Sequence, residues 1–359
     1  MSIYVIELLL VVGSALLVDF RNDKQRKNYI IFCAVILGII LFLRAPHIGS
    51  DLGRYKFHFQ NCGRNTFAYL LTEYSGNRGY YLYNFLAYRL FGGNFKLYLM
   101  LTSVLTFLPP MWLIKTYSKN AYLSFLSYIC MGFYIFQFSG LKQALALSIL
   151  CLAFHFAIQR SPWKFYLLLL VAMSIHFPSI IFAPIYLIAS RGFKKSDVVF
   201  DAAIGLVIWL FRDQIVKMMA EGYDSVIEEE VRSGVGGKVA IIVAIVLFAM
   251  LVKGVDEKDR FYGTLLHCMF ISAIIQFFAS YGNVFERLAD YYFFYIVLFL
   301  PCVLPAVNTL EVETGGRRFQ KLLKGENSWY KLAITLAMIL FWFMYSAKTP
   351  GTFPYRTWL

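Results

Sequence analysis

The sequence predicts an all-α fold, a polytopic bundle of transmembrane helices, and three observations carry that prediction. Charged residues make up only 15% of the chain, against 59% hydrophobic and 18% aromatic, far from the roughly 25% charge of a soluble domain. Apolar runs of roughly 17 to 25 residues, long enough to cross about 30 Å of hydrocarbon, recur along the whole length. Basic residues collect in alternate loops, as they do when Lys and Arg are retained on the cytoplasmic side.

In chain order the apolar runs predict membrane segments near 2–19, 28–43, 95–114, 120–138, 141–158, 163–176, 179–190, 197–216, 237–253, 261–281, 288–308 and 329–346. That makes about twelve, short or re-entrant ones included, in a single integral membrane domain over residues 1–359. The first run starts at Ile3 without a basic n-region or an evident cleavage site, so it is expected to be a retained helix. The pair 163–176 and 179–190 is interrupted by Pro178 and Pro184, and a re-entrant hairpin is the alternative there. A sizeable outer loop covers 44–91. Its stretch 79–91 is apolar and aromatic but short, follows Arg78 and contains Arg89. This composition suits an interfacial or re-entrant helix better than a span. No linker, repeat or low-complexity segment divides the chain.

In a soluble protein a net charge of +13 would suggest nucleic acid; here topology accounts for it, and no nucleic-acid partner is expected. The segments 20–28, 115–119, 159–164, 191–197, 253–260 and 311–331 hold 19 of the 34 Lys and Arg residues and fall on one side. Assigning that side to the cytoplasm puts both termini outside, with the 44–91 loop, an acidic loop at Glu228-Glu229-Glu230 and turns at Ser139-Gly140, Phe177-Pro178 and 282–287. Five of the six cysteines lie in apolar runs, leaving Cys62 in a polar loop. Neither a disulfide framework nor a metal-ligand spacing follows.

Five cations, Arg44, Arg54, Lys56, Arg64 and Arg78, sit in the first outer segment against the expected bias. They point to an anionic ligand on that face or to contact with anionic headgroups. Arg44 closes an apolar span and begins the string Arg44-Ala-Pro-His-Ile-Gly49-Ser-Asp51-Leu-Gly-Arg-Tyr55. A guanidinium offers a fork of donors matched to phosphate oxygens. Pro46 and Gly49 set a turn, after which Asp51 and Tyr55 share a helix face; Asp51 is a candidate base or simply an N-cap. Lys142 and Gln143 open a helix at the Ser139-Gly140 turn, where an N-terminus favours anions, unless Lys142 only snorkels. His176 lies at a helix break in Ile175-His176-Phe-Pro-Ser179, as a functional group or a packing residue. His155 and His267, inside apolar runs, are weaker candidates. Arg287, in Gly282-Asn-Val-Phe-Glu-Arg287, either serves a ligand or pairs with Glu286 or Asp290. The topology, derived without these residues, puts Arg44, Asp51, Lys142, His176 and Arg287 on one face.

No Walker-type loop, HExxH, G-x-S-x-G elbow or soluble nucleotide-binding domain occurs. The expected substrate is therefore one already activated in the membrane, or one moved across it, with neither cofactor nor metal.

The ordered set of Arg44 with Gly49-Ser-Asp51 and Tyr55, Arg78-Gly-Tyr-Tyr-Leu-Tyr, Gly140-Leu-Lys142-Gln143-Ala-Leu-Ala, Ile175-His176-Phe-Pro-Ser179, and Gly282-Asn to Arg287 and Tyr291 resembles the EpsG-type branch of the bacterial Wzy polysaccharide polymerases. The resemblance covers roughly residues 30 to 305. One departure is Lys142, where many relatives carry arginine before the glutamine; lysine is a point charge without a fork. The resemblance implies a multi-pass enzyme of the bacterial plasma membrane that polymerises undecaprenyl-diphosphate-linked oligosaccharides at the outer face. Its partners would be that substrate, membrane lipids, and a flippase and chain-length regulator. The diphosphate leaving group would lie against Arg44, Lys142, Gln143 and Arg287, with Asp51 or His176 as base and Tyr55, Arg78 and Tyr291 against the substrate. A flippase for the same lipids, a polymer ligase and an acyltransferase are the competing readings.

Overall fold

The computed structural model describes residues 2–73, 76–189, 192–194, 196–221, 235–251, 259–306, 329–345 and 351–358. The predicted acidic loop at Glu228-Glu229-Glu230 and all but the last three residues of the basic segment 311–331 lie outside them. Among the described residues the structure is helical, and the one β-type pairing is an isolated antiparallel bridge between Arg44 and Thr357.

The helices are α1 (Ser2–Ala15), α2 (Asp23–Phe42), α3 (Leu52–Arg64), α4 (Phe67–Glu73), α5 (Arg78–Phe91), α6 (Phe95–Tyr117), α7 (Ala121–Cys130), α8 (Phe133–Phe136), α9 (Leu141–Ile158) and α10 (Pro162–Ile175). They continue with α11 (Ile185–Ile188), α12 (Asp197–Leu210), α13 (Arg212–Glu221), α14 (Val235–Leu251), α15 (Arg260–Phe277), α16 (Asn283–Phe293), α17 (Ile296–Ala306) and α18 (Trp329–Met344). Single 3₁₀ turns occupy Phe177–Phe182 and Phe278–Tyr281. Short polar side chains set several starts. Asn22 accepts from the N–H groups of Lys24 and Gln25, Asn94 from Lys96 and Leu97, and Asp259 from Phe261.

Membrane crossing by length is more restricted than the sequence suggests. Among the described residues four helices are long and apolar enough, namely α2, α6, α9 and α15 with its 3₁₀ extension; α16 and α17, bent by 47°, make a fifth if they form one broken span. Elsewhere the apolar helices are 10–17 residues long, so the expected dozen segments are met at full length only at those positions. Two predicted runs are broken. The run 120–138 divides at Met131-Gly132, where Gly132 adopts φ +88. The run 197–216 divides at Phe211, where Arg212 and Asp213 open a new helix. The segment 79–91 is a helix, α5, and the 44–91 region folds as α3, α4 and α5.

Two compact units are resolved by their internal contacts. The first comprises residues 1–153, 167–177 and 329–359, and the second 154–166 and 178–328. In the first, Leu52, Tyr55, Phe59, Tyr80, Tyr98 and Leu141 form a core that fastens α3 and α5 to the starts of α6 and α9. In the second, Tyr295 stacks on Phe154 and Phe182, and Tyr292 donates to the Ile181 carbonyl. Leu9, Ile31, Leu108, Leu167, Val199 and Leu336 are largely exposed. An apolar exterior on apolar helices suits hydrocarbon rather than water, and the protein is an integral membrane protein.

Candidate functional site

The site in the first unit begins where α2 ends. After Phe42 the chain turns, with the Ile48 N–H donating to the Ala45 carbonyl at 3.0 Å, before α3 starts at Leu52. The C-terminal segment 351–358 straps this turn. Ala45 N–H donates to Arg356 O at 2.8 Å, Gly49 N–H to Gly351 O at 2.8 Å, and Trp358 N–H to Leu43 O at 3.3 Å. Tyr355 adds a bond from its hydroxyl to Ile40 O at 2.7 Å. The strap and turn enclose Arg44, whose side chain is 1% exposed.

Arg44 donates through Nη1 to the Gln137 carbonyl at 2.9 Å, and its guanidinium lies 5.1 Å from the Phe138 ring centroid. That carbonyl is held in place by a defect in α6. Pro110 has no N–H to give to the Thr106 carbonyl, which an α-helix would otherwise bond at i−4. The Gln137 side-chain amide donates to Thr106 O instead, at 3.0 Å. Pro110 thus creates the acceptor that fixes Gln137, and Gln137 fixes Arg44. Nε and Nη2 of Arg44 make no hydrogen bond within the described chain, and it forms no ion pair with a described carboxylate. Burial pulls its pKa down to about 10, opposed by the surrounding phenols of Tyr134, Tyr4, Tyr355 and Tyr98. It therefore carries a full charge at neutral pH.

Three contacts lay the turn along the start of α9. Arg44 meets Gln137, Ser50 N–H donates to Ser139 Oγ at 3.1 Å, and Lys142 N–H meets the Tyr55 hydroxyl at 3.4 Å. The two motifs are 93 to 87 residues apart in sequence, and sequence alone gives no reason for them to touch. The Lys142 ammonium lies over the rings of Tyr80 and Tyr81, 5.2 and 5.5 Å from their centroids, an electrostatic attraction to the ring faces. Burial first, then neighbouring phenols, pushes the Tyr80 hydroxyl well above its usual range. It shares a hydrogen bond with Tyr98 at 3.1 Å. Gln143 is buried next to Lys142. Asp51 stands at the cap position of α3 but makes no side-chain cap bond, so the capping alternative is not realised. It is half-buried.

His176, 4% exposed, follows the last residue of α10. Its neighbour Phe177 donates its N–H to Asn77 Oδ1 at 3.0 Å, which binds this corner to the start of α5. Arg78, exposed, is the first residue of that helix. Cys62, placed by sequence in a polar loop, is buried in α3, and burial pushes its thiol up to about 12; it is an inert packing group. Arg44, Asp51, Tyr55, Arg78, Lys142, Gln143 and His176 all belong to this unit.

Arg287 and Tyr291 belong to the second unit, one helical turn apart on α16. The carboxylates flanking Arg287 are engaged from another helix. Lys238 of α14 donates to Asp290 Oδ1 at 2.7 Å and to Glu286 Oε1 at 3.3 Å. This unit also holds a pair of which sequence reasoning weighed only His267, as a weaker candidate, and missed Asp201. His267 Nδ1 lies 2.9 and 2.8 Å from the two oxygens of Asp201, both residues being buried. Glu7, Gln137 and the 351–358 strap were missed as well. The available signals were a carboxylate within an apolar run for Glu7 and Asp201, and Pro109-Pro110 inside a span for Gln137. Among the described residues no group of three or more His, Cys, Asp or Glu is placed to hold a metal.

Comparison with curated proteins and with solved structures returned no match. The family model described as EpsG family matches residues 27–357, nearly the whole chain. EpsG is a Wzy-type polymerase family. The match spans every one of the ordered motifs from Arg44 to Tyr291, and the chain belongs to the EpsG family.

Proposed function

We infer that this protein polymerises undecaprenyl-diphosphate-linked oligosaccharide repeat units at the outer face of the bacterial plasma membrane. The anomeric carbon of the growing glycan forms a bond to a hydroxyl of the incoming lipid-linked unit, its bond to the lipid diphosphate breaks, and the hydroxyl proton passes to a base. The observation that carries this reading is Arg44. A guanidinium that is 1% exposed, with two nitrogens unbonded and no carboxylate partner, is costly in a low-dielectric surrounding. A diphosphate would compensate it and use its fork of donors. Lys142, on the adjoining helix start, would meet the same charge as it develops on the departing oxygen. Half-buried Asp51 can exchange a proton with solvent more readily than His176, which favours it as the base. Gln143, Tyr55 and Arg78 would contact the remainder of the substrate.

Purified protein in detergent, given lipid-linked repeat unit alone, should produce a ladder of chain lengths without nucleotide, metal or membrane gradient. Arg44→Ala should leave folded protein with single units unjoined. A protein that lengthens nothing in detergent but moves the lipid across vesicles would be a flippase. Transfer only of finished polymer to a different acceptor would mark a ligase.

A further inference from the structure

Two nitrogens of Arg44 make no hydrogen bond within the described chain, yet the side chain is 1% exposed. In the conformation observed, an anion of the size of a diphosphate has no way to reach them. For Arg44 to bind one, part of the wall around it must move. The walls differ in how firmly they are held. Phe138 lies under the guanidinium at 5.1 Å and follows Gln137, whose side chain is tied to the Thr106 carbonyl. Tyr134, its ring 5.4 Å from that of Phe138, places its hydroxyl 2.7 Å from Glu7 Oε1 of α1 and 2.9 Å from the Leu37 carbonyl of α2. Tyr4 of α1 is 5.7 Å from Phe138. Gln137, Phe138, Tyr134, Glu7 and Tyr4 are all buried.

The strap, 351–358, is built differently. Of its residues only Thr352 is buried; Gly351, Pro354, Arg356 and Thr357 are exposed, and Phe353, Tyr355 and Trp358 are half-buried. It has no helix of its own. Besides its backbone bonds to Ala45 and Gly49, it accepts a bond from the Tyr4 hydroxyl at the Thr352 carbonyl, at 3.1 Å, and sets Phe353 and Tyr355 against the Tyr4 ring at 4.9 and 5.9 Å. Its far end is the weakest. The Trp358 N–H to Leu43 bond is 3.3 Å long, and the buried indole Nε1 has no hydrogen-bond partner within the described chain. A segment that buries this little opens at a lower free-energy cost than the helices beside it. Docking also strands donors, Nε and Nη2 of Arg44 and Nε1 of Trp358, and a buried donor without a partner is destabilising. Undocking returns them to water, and an anion on Arg44 satisfies the first two.

We propose that the 351–358 strap is a gate over Arg44, docked on the 43–49 turn when the site is empty and undocked to admit an anionic phosphate head, so that docking as observed and anion binding exclude each other. The inference rests on Arg44 as the anion site. Apparent affinity is then the intrinsic affinity multiplied by the undocked fraction, and by linkage a bound anion holds the strap open. While docked, the strap shields the guanidinium from water and from stray anions. Charge-assisted hydrogen bonds to the arriving phosphates offset the docking contacts that are lost.

The test locks the strap in place. Ala45 and Arg356 stand opposite each other across the antiparallel pair, where Cα atoms lie about 5.5 Å apart, within the reach of a disulfide. The native cysteines are all buried. Binding of inorganic pyrophosphate to the full-length Ala45→Cys/Arg356→Cys protein in detergent is measured by calorimetry, first oxidised and then reduced. The oxidised form should bind about tenfold or more weakly than the reduced form, and oxidant should not change either single variant. Tyr355→Phe removes the bond to the Ile40 carbonyl from the docked state alone and should bind about two- to tenfold more tightly than wild type, the scale of one hydrogen bond. Equal affinity in the oxidised and reduced forms, with binding still lost in Arg44→Ala, would overturn the gate alone. Where the double variant does not fold or its thiols do not pair, Tyr355→Phe decides: tighter binding supports the gate, and equal or weaker binding overturns it. Binding undiminished by Arg44→Ala, or no binding in any unlocked form, would overturn the anion site and the gate with it.

Discussion

Gly49 and Gly351 meet backbone to backbone, Gly49 donating its N–H to the Gly351 carbonyl at 2.8 Å. Neither position has room for a side chain. A Cβ on Gly351, whose φ is +73, would fall 2.7 Å from the Ser50 nitrogen, and one on Gly49, at φ +135, would fall 2.0 Å from the Phe138 carbonyl oxygen. Gly351→Ala should therefore cost about 1–3 kcal/mol, from the left-handed backbone and the clash together, while exposed Ser50→Ala stays within about 0.5 kcal/mol. Thermal unfolding in detergent measures both. An unchanged midpoint for Gly351→Ala would mean that the strap is not docked on the Arg44 turn.

Pro110 and Gln137 are coupled through the Thr106 carbonyl. Gln137→Ala leaves that carbonyl and the Arg44 contact loosened, at a cost of about 1–3 kcal/mol. In a Pro110→Ala background residue 110 regains its N–H and satisfies Thr106 from within α6, so the same Gln137 change should cost less. A double-mutant cycle on unfolding midpoints reads the difference; strict additivity would refute the coupling.

Lys142 acts in our proposal through charge rather than bidentate geometry. Lys142→Arg should retain polymerisation and Lys142→Gln should lower it by about 10- to 100-fold, the scale of one charge-assisted hydrogen bond. The ladder assay of the proposed function gives the rates. Equal loss in both variants would assign Lys142 to packing against Tyr80 and Tyr81.

Lys238 holds two carboxylates that sequence analysis had offered to Arg287. Lys238→Met should destabilise the protein by about 1–3 kcal/mol, less than for a fully buried pair, because Asp290 keeps 21% exposure and Glu286 41%. Most of the loss should come from Asp290, so Glu286→Gln alone is expected to stay within about 0.5 kcal/mol. Midpoints from denaturation in detergent decide it, and a larger effect at Glu286 would reverse the ranking.

The membrane class was legible because it depends on composition and run length, which any order of contacts preserves. Helix starts at Asn22, Asn94 and Asp259 were legible for a similar reason, since a cap bond spans only two or three residues. Run length misled at Gly132 and at Arg212, where a local backbone angle and a charge pair end a helix inside an apolar stretch.

The sequence by itself determined that this is a helical membrane protein, and it picked out Arg44, Asp51, Lys142 and His176 as chemistry-bearing residues. Only the tertiary structure decided what surrounds them. The strap that buries Arg44 comes from more than 300 residues away, as Tyr355 on Ile40 illustrates with its separation of 315. The carbonyl that holds Arg44 depends on a proline in a third segment, and Glu7 reaches the cluster from a fourth. Such placements follow from which apolar faces pack together and which orphaned backbone groups must find partners, and neither is encoded within any one window of the chain.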